Sequence, residues 1–284
     1  MLKMIVCVKQ VPNTKEIRID PITNNLVREG VPSIMNPADE CALENALQIR
    51  DRLGGHVTVL SMGPDQALSM MQECLDMGAD QAMLLSDRRF AGSDTLATGY
   101  ALSSAVKMLG ADLVLCGAEA IDGCTGQVGP IMGEFLGMPH FTYVSSLSTD
   151  GERIEAERAL RSGYEKLACP LPAVVCILDK SCQPREKTAS EKRPVKVTAE
   201  ALGCNASRLG LTGSPTRVAA ITTSGRSASG FVKVDGTLPA RERIRMLMNG
   251  GIIPKPVNLV KGKPEDLAKR ILSEEKIRKR LGKE

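Results

Sequence analysis

A glycine-rich segment in the middle of the chain has the composition of a phosphate-binding loop. It runs from Gly117 to Pro130 and leads into a predicted helix that opens near Gln127. Glycines let backbone N–H groups approach a phosphate closely, and a helix N-terminus adds oriented donors and a partial positive charge. Thr125 and Gln127 add side-chain donors. The segment is neither a P-loop nor a G-x-G-x-x-G fingerprint after a first strand, so an ordinary flexible loop is the alternative.

A second candidate segment, Gly92 to Gly99, follows the third predicted strand. Asp94 can cap the helix that starts there, and Thr95 and Thr98 stand three residues apart, so their hydroxyls share one face of its first turn. Hydroxyls on that face suit a pyrophosphate or the edge of a flavin. Ordinary capping with two surface threonines is the alternative.

The ends of the first two predicted strands add further candidates. The first strand closes with Cys7-Val8-Lys9, where the backbone could hydrogen-bond an adenine edge. The Lys9 side chain faces either a phosphate or solvent. Met62 ends the second strand near the same crevice.

The first predicted helix opens with two polar residues that suit either binding or capping. Asn36 stands at the N-cap position, Pro37 at the first helical position and Asp39 in the first turn. Asn36 and Asp39 therefore either contact a ribose or only cap this helix.

Residues for acid–base, nucleophilic or metal chemistry are not grouped in the sequence. The chain has two histidines, His56 and His140, and its nine cysteines form no C-x-x-C pair. We therefore predict neither a catalytic group nor a metal site. An adenine-binding site without such residues fits redox work, in which the cofactor carries the chemistry.

The elements that must position these residues alternate regularly through the first half of the chain. Predicted strands are Met4–Val8, His56–Ser61, Gln81–Ser86 and Leu113–Cys116; predicted helices are Asn36–Leu53, Pro64–Met77, Asp94–Leu109 and Gln127–Leu136. Strands that alternate with helices predict parallel βαβ units, and hence a doubly wound, Rossmann-like α/β fold with a mostly parallel sheet. Its ligand crevice lies between the first and fourth strands, where strand order reverses.

The second half of the chain has a different pattern. Shorter strands are predicted over Phe141–Leu147, Arg153–Leu160, Gly163–Leu167 and Ala173–Leu178, as antiparallel additions to the sheet, and helices over Pro239–Asn249 and Pro264–Leu281. We predict a nucleotide- or flavin-binding domain over residues 1–182. Residues 183–284 are expected to form a basic extended or helical arm that contacts a partner subunit.

Composition limits the classes of function. The chain has 284 residues, of which 43% are hydrophobic, and no apolar run long enough to span a membrane, so a cytoplasmic protein is expected. Residues 1–150 carry 10 basic and 18 acidic side chains, whereas residues 151–284 carry 27 and 15. No Trp, three Tyr and four Phe argue against nucleic acid as the ligand of the basic half. A solvated basic surface and a docking surface for an acidic protein are the interpretations left.

Six segments resemble the electron transfer flavoprotein beta subunit in order and spacing. They are Val6 to Pro12, Met35 to Glu40, Ser61 to Pro64, Met77 to Asp80, Ala120 to Pro130 and Leu171 to Val175. The resemblance covers roughly residues 1–180. It implies a heterodimer with an alpha subunit that carries a redox flavin, and a beta subunit that binds either structural AMP or a second FAD.

The stretches Ser93 to Thr98 and Asp122 to Pro130 look like the FAD-binding, electron-bifurcating branch. In that branch NADH gives a hydride to the beta flavin within the assembled complex. One electron then goes toward ferredoxin and the other, through the alpha flavin, to a dehydrogenase of acyl-CoA or lactate type. A stand-alone ATP-binding module is a third possibility, which predicts a stable monomer.

By resemblance, one set of residues lines the adenosine part of the cofactor and another lies by the pyrophosphate or the ring. The first set is Cys7, Asn36 to Asp39, Met62, and Ala120, Ile121, Asp122, Gly123, Thr125, Gln127, Val128, Gly129, Pro130 and Ile131; the second is Thr95 and Thr98. After Asp179 the sequence departs from the family. Gln183-Pro184-Arg185 is followed by Glu186 to Ser190, without the tyrosine and leucine of the family's dehydrogenase-recognition loop.

Overall fold

A computed structural model describes residues 1–13 and 32–217, together with Glu265. The chain divides into two compact units, Met1–Ile221 and Thr222–Glu284. The predicted helices over 239–249 and 264–281 lie outside the described residues, apart from Glu265. The role of residues 183–284 as an arm on a partner subunit stays a prediction.

The first unit is built on a sheet that is parallel over most of its width. Its strands are β1 (Lys3–Cys7), β4 (His56–Met62), β5 (Gln81–Leu85), β6 (Leu113–Gly117), β7 (His140–Thr149), β8 (Arg153–Leu160), β9 (Gly163–Pro170), β10 (Ala173–Ile177) and β11 (Val195–Val197). They lie in the order β11-β5-β4-β1-β6-β10-β7-β8-β9. Pairing is parallel from β11 to β7 and antiparallel from β7 to β9. The predicted α/β class is confirmed, with antiparallel pairing at β8 and β9. The prediction that Ala173–Leu178 adds an antiparallel strand is wrong, because β10 is parallel to both β6 and β7.

Helices cover both faces of this sheet. They are α1 (Pro37–Leu53), α2 (Leu68–Asp76), α3 (Thr95–Leu109), α4 (Val128–Leu136) and the short α5 (Gly210–Gly213). Along β1, Met4 and Val6 belong to the core with α1 and α2, whereas Ile5 and Cys7 belong to the core with α3 and α4. Both faces of the strand are therefore buried, which explains its unbroken apolar sequence.

Strand order reverses at β1, as the sequence predicts. The chain proceeds from β1 to β4 and β5 on one side and then returns to place β6 on the other side. Cys7 is level with Leu60 on β4 and with Cys116 on β6. Since the connections that follow β1 and β6 leave toward opposite faces, a crevice opens beyond their carboxyl ends.

Several elements differ from the sequence prediction. The helix expected from Pro64 begins as a 3₁₀ turn, Asp65–Ala67, before α2. A two-stranded antiparallel sheet, β2 (Gln10–Pro12) with β3 (Ser33–Met35), was not predicted. Neither was β11, which pairs with the sheet edge at β5. These strands have three residues each, too few to establish an alternating pattern.

The two glycines that end α1 provide a matched test of the fold. A Cβ on Gly54 (φ +76°) would have no described atom within 4 Å, whereas a Cβ on Gly55 (φ +129°) would lie 2.5 Å from the Leu2 carbonyl oxygen. We expect Gly54→Ala to lower the free energy of unfolding by about 1 kcal/mol and Gly55→Ala by roughly 3 kcal/mol or more. Urea unfolding of both variants measures this, and equal losses would contradict the packing of Gly55 on the first strand.

Candidate functional site

A buried carboxylate joins the strand ends that border the crevice. Asp39, in the first turn of α1, accepts hydrogen bonds from the Lys9 N–H (2.7 Å) and the Gly117 N–H (2.8 Å). Its side chain is almost fully buried. A Cβ on Gly117 would collide with Asp39, so this approach requires glycine. We call this pair of contacts the Asp39 bridge.

Asn36 fixes the candidate phosphate loop rather than capping its own helix. Its Nδ2 donates to the Glu119 carbonyl (3.0 Å), and its Oδ1 accepts from the Ile121 N–H (3.1 Å). Asn36 occupies the N-cap position as predicted, but its side chain makes no cap hydrogen bond. The interpretation of Asn36 as a cap is therefore wrong, and a ribose contact stays a prediction.

The Lys9 ammonium group pairs with a loop carboxylate, rather than facing only solvent or an open phosphate position. Its Nζ lies 2.7 Å from both carboxylate oxygens of Asp122 in the loop. Asp122 is 15% exposed and Lys9 48% exposed. An exposed pair of this kind adds little stability, but it neutralises a loop carboxylate beside the crevice.

Asp94 caps α3, as the sequence indicates, and holds a later segment as well. Its Oδ1 accepts from the N–H groups of Leu96 and Ala97, and its Oδ2 accepts from the Thr216 N–H and hydroxyl. Burial raises the pKa of Asp94, but these hydrogen bonds outweigh it and hold the pKa below its usual value. Both carboxylate oxygens thus have structural partners.

The N-terminal turns of α3 and α4 lie side by side. The Thr95 hydroxyl donates to Gln127 Oε1 over 2.8 Å. One turn later, a Cβ on Gly99 would collide with Ile131, so the two helices approach closely there. Thr98 is half-buried near the same end of α3. The structure thus brings together the two segments that the sequence singled out separately.

Gly129 lets α4 lie directly on the sheet. A Cβ at this position would collide with Cys176 Sγ and lie 2.9 Å from Cys116 Sγ. Val128 and Pro130 beside it are half-buried. Packing is thus a sufficient reason for glycine here, in addition to the predicted approach of a phosphate.

The tip of the loop faces solvent. Ile121 is 51% exposed, and Gly123, Thr125 and Gln127 are also exposed, whereas Ala120 is half-buried. The Cys124 N–H donates to the Ala120 carbonyl over 2.8 Å. The loop is therefore anchored at its start and has exposed polar groups toward α4.

At the ends of β1 and β4, the protein itself already contacts the groups that the sequence suggests for ligand binding. The Val8 N–H donates to the Leu60 carbonyl (2.9 Å), and the Lys9 N–H serves the Asp39 bridge. An adenine contact cannot use these two N–H groups without breaking those bonds. Cys7 is buried 4.0 Å from the sulfur of Met132, and burial raises its pKa. Met62 is half-buried and packs on the core beneath α3.

Sequence analysis did not single out Tyr143, which lies at the edge of this loop. It adopts a left-handed conformation (φ 54°) in β7, unusual for an aromatic residue. Its hydroxyl is 3.2 Å from where a Cβ on Gly126 would lie, and the residue is 43% exposed. Tyr143 lies where β7 shifts register against β10, between Phe141 and Val144, and such an irregularity has no clear sequence signal.

Metal ligation and membrane insertion find no support in the described part of the chain. Within residues 1–13 and 32–217, no group of three or more His, Cys, Asp or Glu side chains could hold a metal ion. No described helix is long and apolar enough to cross a membrane.

Comparison with known proteins identifies the family. The family model of the electron transfer flavoprotein domain matches residues 23–202. The chain belongs to the electron transfer flavoprotein beta subunit family. The electron transfer flavoprotein subunit beta of Thermoanaerobacterium thermosaccharolyticum is 47% identical over 238 residues, covering 81% of this chain and 92% of that protein.

Two further relatives agree with this assignment to the electron transfer flavoprotein family. The subunit beta of Clostridium acetobutylicum is 44% identical over 237 residues, covering 81% of this chain and 92% of the relative. The caffeyl-CoA reductase–Etf complex subunit CarD of Acetobacterium woodii is 42% identical over 225 residues, covering 76% and 86%. Electron transfer flavoprotein beta subunits pair with an alpha subunit, which makes this chain one half of a heterodimer.

The contact of Gly129 with the sheet predicts a local packing effect. Gly129→Ala should lower the free energy of unfolding by about 1–3 kcal/mol through overpacking. Adding Cys176→Ala should recover part of that loss, because it removes the sulfur that the new methyl meets. Gly123→Ala, whose Cβ would meet no described atom within 4 Å, should change stability by less than about 0.5 kcal/mol. Chemical denaturation that finds all three variants equally stable would contradict this packing.

The Asp39 carboxyl predicts a pH dependence of stability. Burial raises its pKa from 3.8 to about 7 despite the hydrogen bonds from Asn36, Gly117 and Lys9. Between about pH 4 and pH 7 the folded chain keeps a proton that the unfolded chain releases, so this group makes unfolding easier as pH rises, by up to roughly 4 kcal/mol. Asp39→Asn should remove this component.

The matched control for Asp39 is Asp94→Asn. The folded pKa of Asp94 is lowered, so its contribution to stability is lost as pH falls and has the opposite sign. Unfolding curves from pH 4 to pH 8 for both variants and the parent give the two slopes. Parallel curves for the parent and Asp39→Asn would contradict the shifted titration.

Proposed function

We propose that this beta subunit binds FAD in the crevice beyond β1 and β6 and accepts hydride from NADH. The electrons then pass to the flavin of the alpha subunit and to a dehydrogenase, with ferredoxin as the low-potential acceptor. The observation that carries the proposal is the juxtaposition of the loop Gly117 to Pro130 with the first turns of α3 and α4. NADH oxidation is expected only within the assembled complex.

The donor geometry supports a diphosphate at this place. The N-terminus of α4 opens there beside the first turn of α3, joined to it by the hydrogen bond of Thr95 to Gln127, and a helix N-terminus favours anions. At α3 the Asp94 carboxylate already accepts from the Leu96 and Ala97 N–H groups. Exposed Thr125 and half-buried Thr98 add hydroxyl groups. A cofactor with two phosphates can use the α4 end together with these hydroxyls, whereas a single phosphate needs only the α4 end.

The charge distribution also supports an anionic ligand. Asp122 lies in the loop itself and would repel a diphosphate if its charge were free. The Lys9 ammonium lies 2.7 Å from both of its oxygens and neutralises it. The ion pair thus adds little to folding stability but makes the loop compatible with phosphate.

The division of labour between protein and cofactor follows from the residues present. FAD, when bound, supplies the chemistry of hydride acceptance and single-electron transfer. The residues of this chain bind and orient it: the Asp39 bridge and Asn36 hold the loop, and Thr95 and Thr98 contact the part beyond the adenosine. No side chain of the described crevice has to move a proton in this scheme.

One relative bears on the identity of the dehydrogenase partner. The Acetobacterium woodii protein is a subunit of a caffeyl-CoA reductase–Etf complex. That association favours a partner that acts on CoA esters, rather than a lactate-type flavin dehydrogenase, for this chain.

Structural AMP is the second candidate ligand, because the adenosine end of the crevice would serve both. AMP would contact the loop and strand ends but would not reach the first turn of α3. Thr98→Val should therefore weaken FAD retention roughly tenfold, the effect of about one hydrogen bond, and should leave AMP retention unchanged. Ser104→Ala, on the same helix with its hydroxyl bonded to the Tyr100 carbonyl, is the matched control.

The test is to purify the heterodimer with its alpha subunit, release the cofactors with acid and count them by chromatography. Two equivalents of FAD per heterodimer, falling in Thr98→Val but not in Ser104→Ala, is the expected result. One FAD and one AMP would replace the proposal by the structural role. A heterodimer that holds no adenine compound in this subunit would contradict both.

A further inference from the structure

A basic segment returns along the first two helices after the last central strand. We call residues 181–193 the basic strap; it contains four basic and two acidic residues and leads into β11 at the far edge of the sheet. Its course therefore runs from the end of β10 across α1 and α2 to the strand beside β5.

Ion pairs hold the basic strap on these helices. Arg185 Nε lies 2.9 Å from Glu44 Oε2, and its Nη2 lies 2.9 Å from Asp51 Oδ2. Glu44 is almost fully buried. Lys187 pairs with Glu73 at 2.5 Å. The pairs with Asp51 and Glu73 are well exposed, so salt screens them, and attachment in this region depends in part on ionic strength.

Two cysteines face each other at the start of the basic strap. Cys182 Sγ lies 3.6 Å from the Cys41 carbonyl oxygen, and Cys41 Sγ lies 3.7 Å from the Cys182 carbonyl oxygen. Asn45 Nδ2, one turn along α1, lies 3.6 Å from Cys182 Sγ. Cys41 is buried and Cys182 is half-buried. These reciprocal contacts place the two cysteine side chains next to each other, and Cys182 is the more accessible of the two.

We propose that Cys41 and Cys182 form a dithiol site that a low-molecular-weight disulfide oxidises, which fixes the basic strap covalently to α1. The proposal rests on the two thiols and their contacts, and it is independent of which cofactor the crevice binds. In the reduced protein the strap is held by ion pairs and by hydrogen bonds from the Thr188 and Ser190 N–H groups to Asp76; in the oxidised protein a covalent bond that salt does not weaken adds to them.

The oxidation proceeds by two exchanges that balance. The Cys182 thiolate attacks one sulfur of the small disulfide, whose S–S bond breaks; a mixed disulfide forms and one small thiolate leaves. The Cys41 thiolate then attacks Cys182 Sγ, so the Cys41–Cys182 bond forms and the second small thiolate leaves. The protein loses two electrons and two protons overall, and one small disulfide becomes two small thiols.

The half-buried position of Cys182 sets the rate of this exchange. Burial, with the adjacent Cys41 thiol, raises the pKa of Cys182 to about 12. Only the thiolate reacts, so the exchange should be slow at pH 7 and accelerate about tenfold for each pH unit up to pH 9.

Another pair of sulfurs provides an internal comparison. Cys116 Sγ and Cys176 Sγ lie only 3.6 Å apart, but both are buried and stand level on adjacent parallel strands. Both thiols lie beneath Gly129 of α4 and are closed to a small disulfide, whereas Cys182 is half-buried and can be reached.

The experiment treats the reduced full chain with glutathione disulfide at pH 7, 8 and 9, blocks remaining thiols, digests the protein and maps the linked peptides by mass spectrometry. The expected product joins the peptides of Cys41 and Cys182, with the pH dependence given above. In 1 M salt, backbone amides of residues 185–192 should exchange at least about tenfold more slowly in the oxidised than in the reduced protein.

Two variants complete the test. Cys182→Ser should abolish the linked peptide and the gain in protection, whereas Cys204→Ser, at a half-buried cysteine outside the strap, should leave both unchanged. Persistent glutathione on Cys182 without the internal bond, a link between Cys116 and Cys176 instead, or no oxidation at pH 9 would each overturn the proposal. Mapping of the parent protein decides between these results even if a variant fails to fold.

Discussion

The structure depends on how the backbone N–H groups find hydrogen-bond acceptors at the point where β1 and β6 diverge. At that point the connections leave toward opposite faces, and the sheet no longer provides acceptors for the next N–H groups. Asp39 provides them, with one oxygen for Lys9 and one for Gly117. The arrangement is costly, because burial raises the pKa of this carboxyl to about 7. It places a fixed polar junction at the floor of the crevice.

The N-terminal end of α1 also fixes the shape of the loop above the crevice. Asn36 holds the loop at Glu119 and Ile121, so its anchored part follows α1, while its exposed part faces solvent beside α3 and α4. Residues whose sequence positions suggest ligand contacts, such as Asn36, thus hold the site itself together. The groups left for a ligand are the N-terminus of α4, the hydroxyls of Thr98 and Thr125, and the neutralised surface around Lys9 and Asp122.

Sequence analysis was successful where one residue type has one physical consequence. The Asn-Pro-Ala-Asp start of α1, the helix-ending glycines and the apolar strands are of this kind, and they led to the correct fold class and the correct point of strand-order reversal. It failed where the outcome depends on a distant partner. Nothing local shows that Asn36 reaches across to the loop, that Lys9 pairs with Asp122, or that residues 195–197 add a strand to β5. Tyr143 was missed because the register shift in its own strand has no clear sequence signal.

If the amides between β6 and α4 bind the phosphates of an adenine cofactor, as proposed, their hydrogen exchange must respond to the cofactor. The heterodimer would be compared with and without its cofactor, with peptides resolved across residues 117–131 and, as an internal reference, residues 153–170 of β8 and β9. We expect slower exchange over 117–131 and at the start of α3 when cofactor is bound, with no change in the reference strands. Unchanged exchange in 117–131, with protection elsewhere in the subunit, would contradict it.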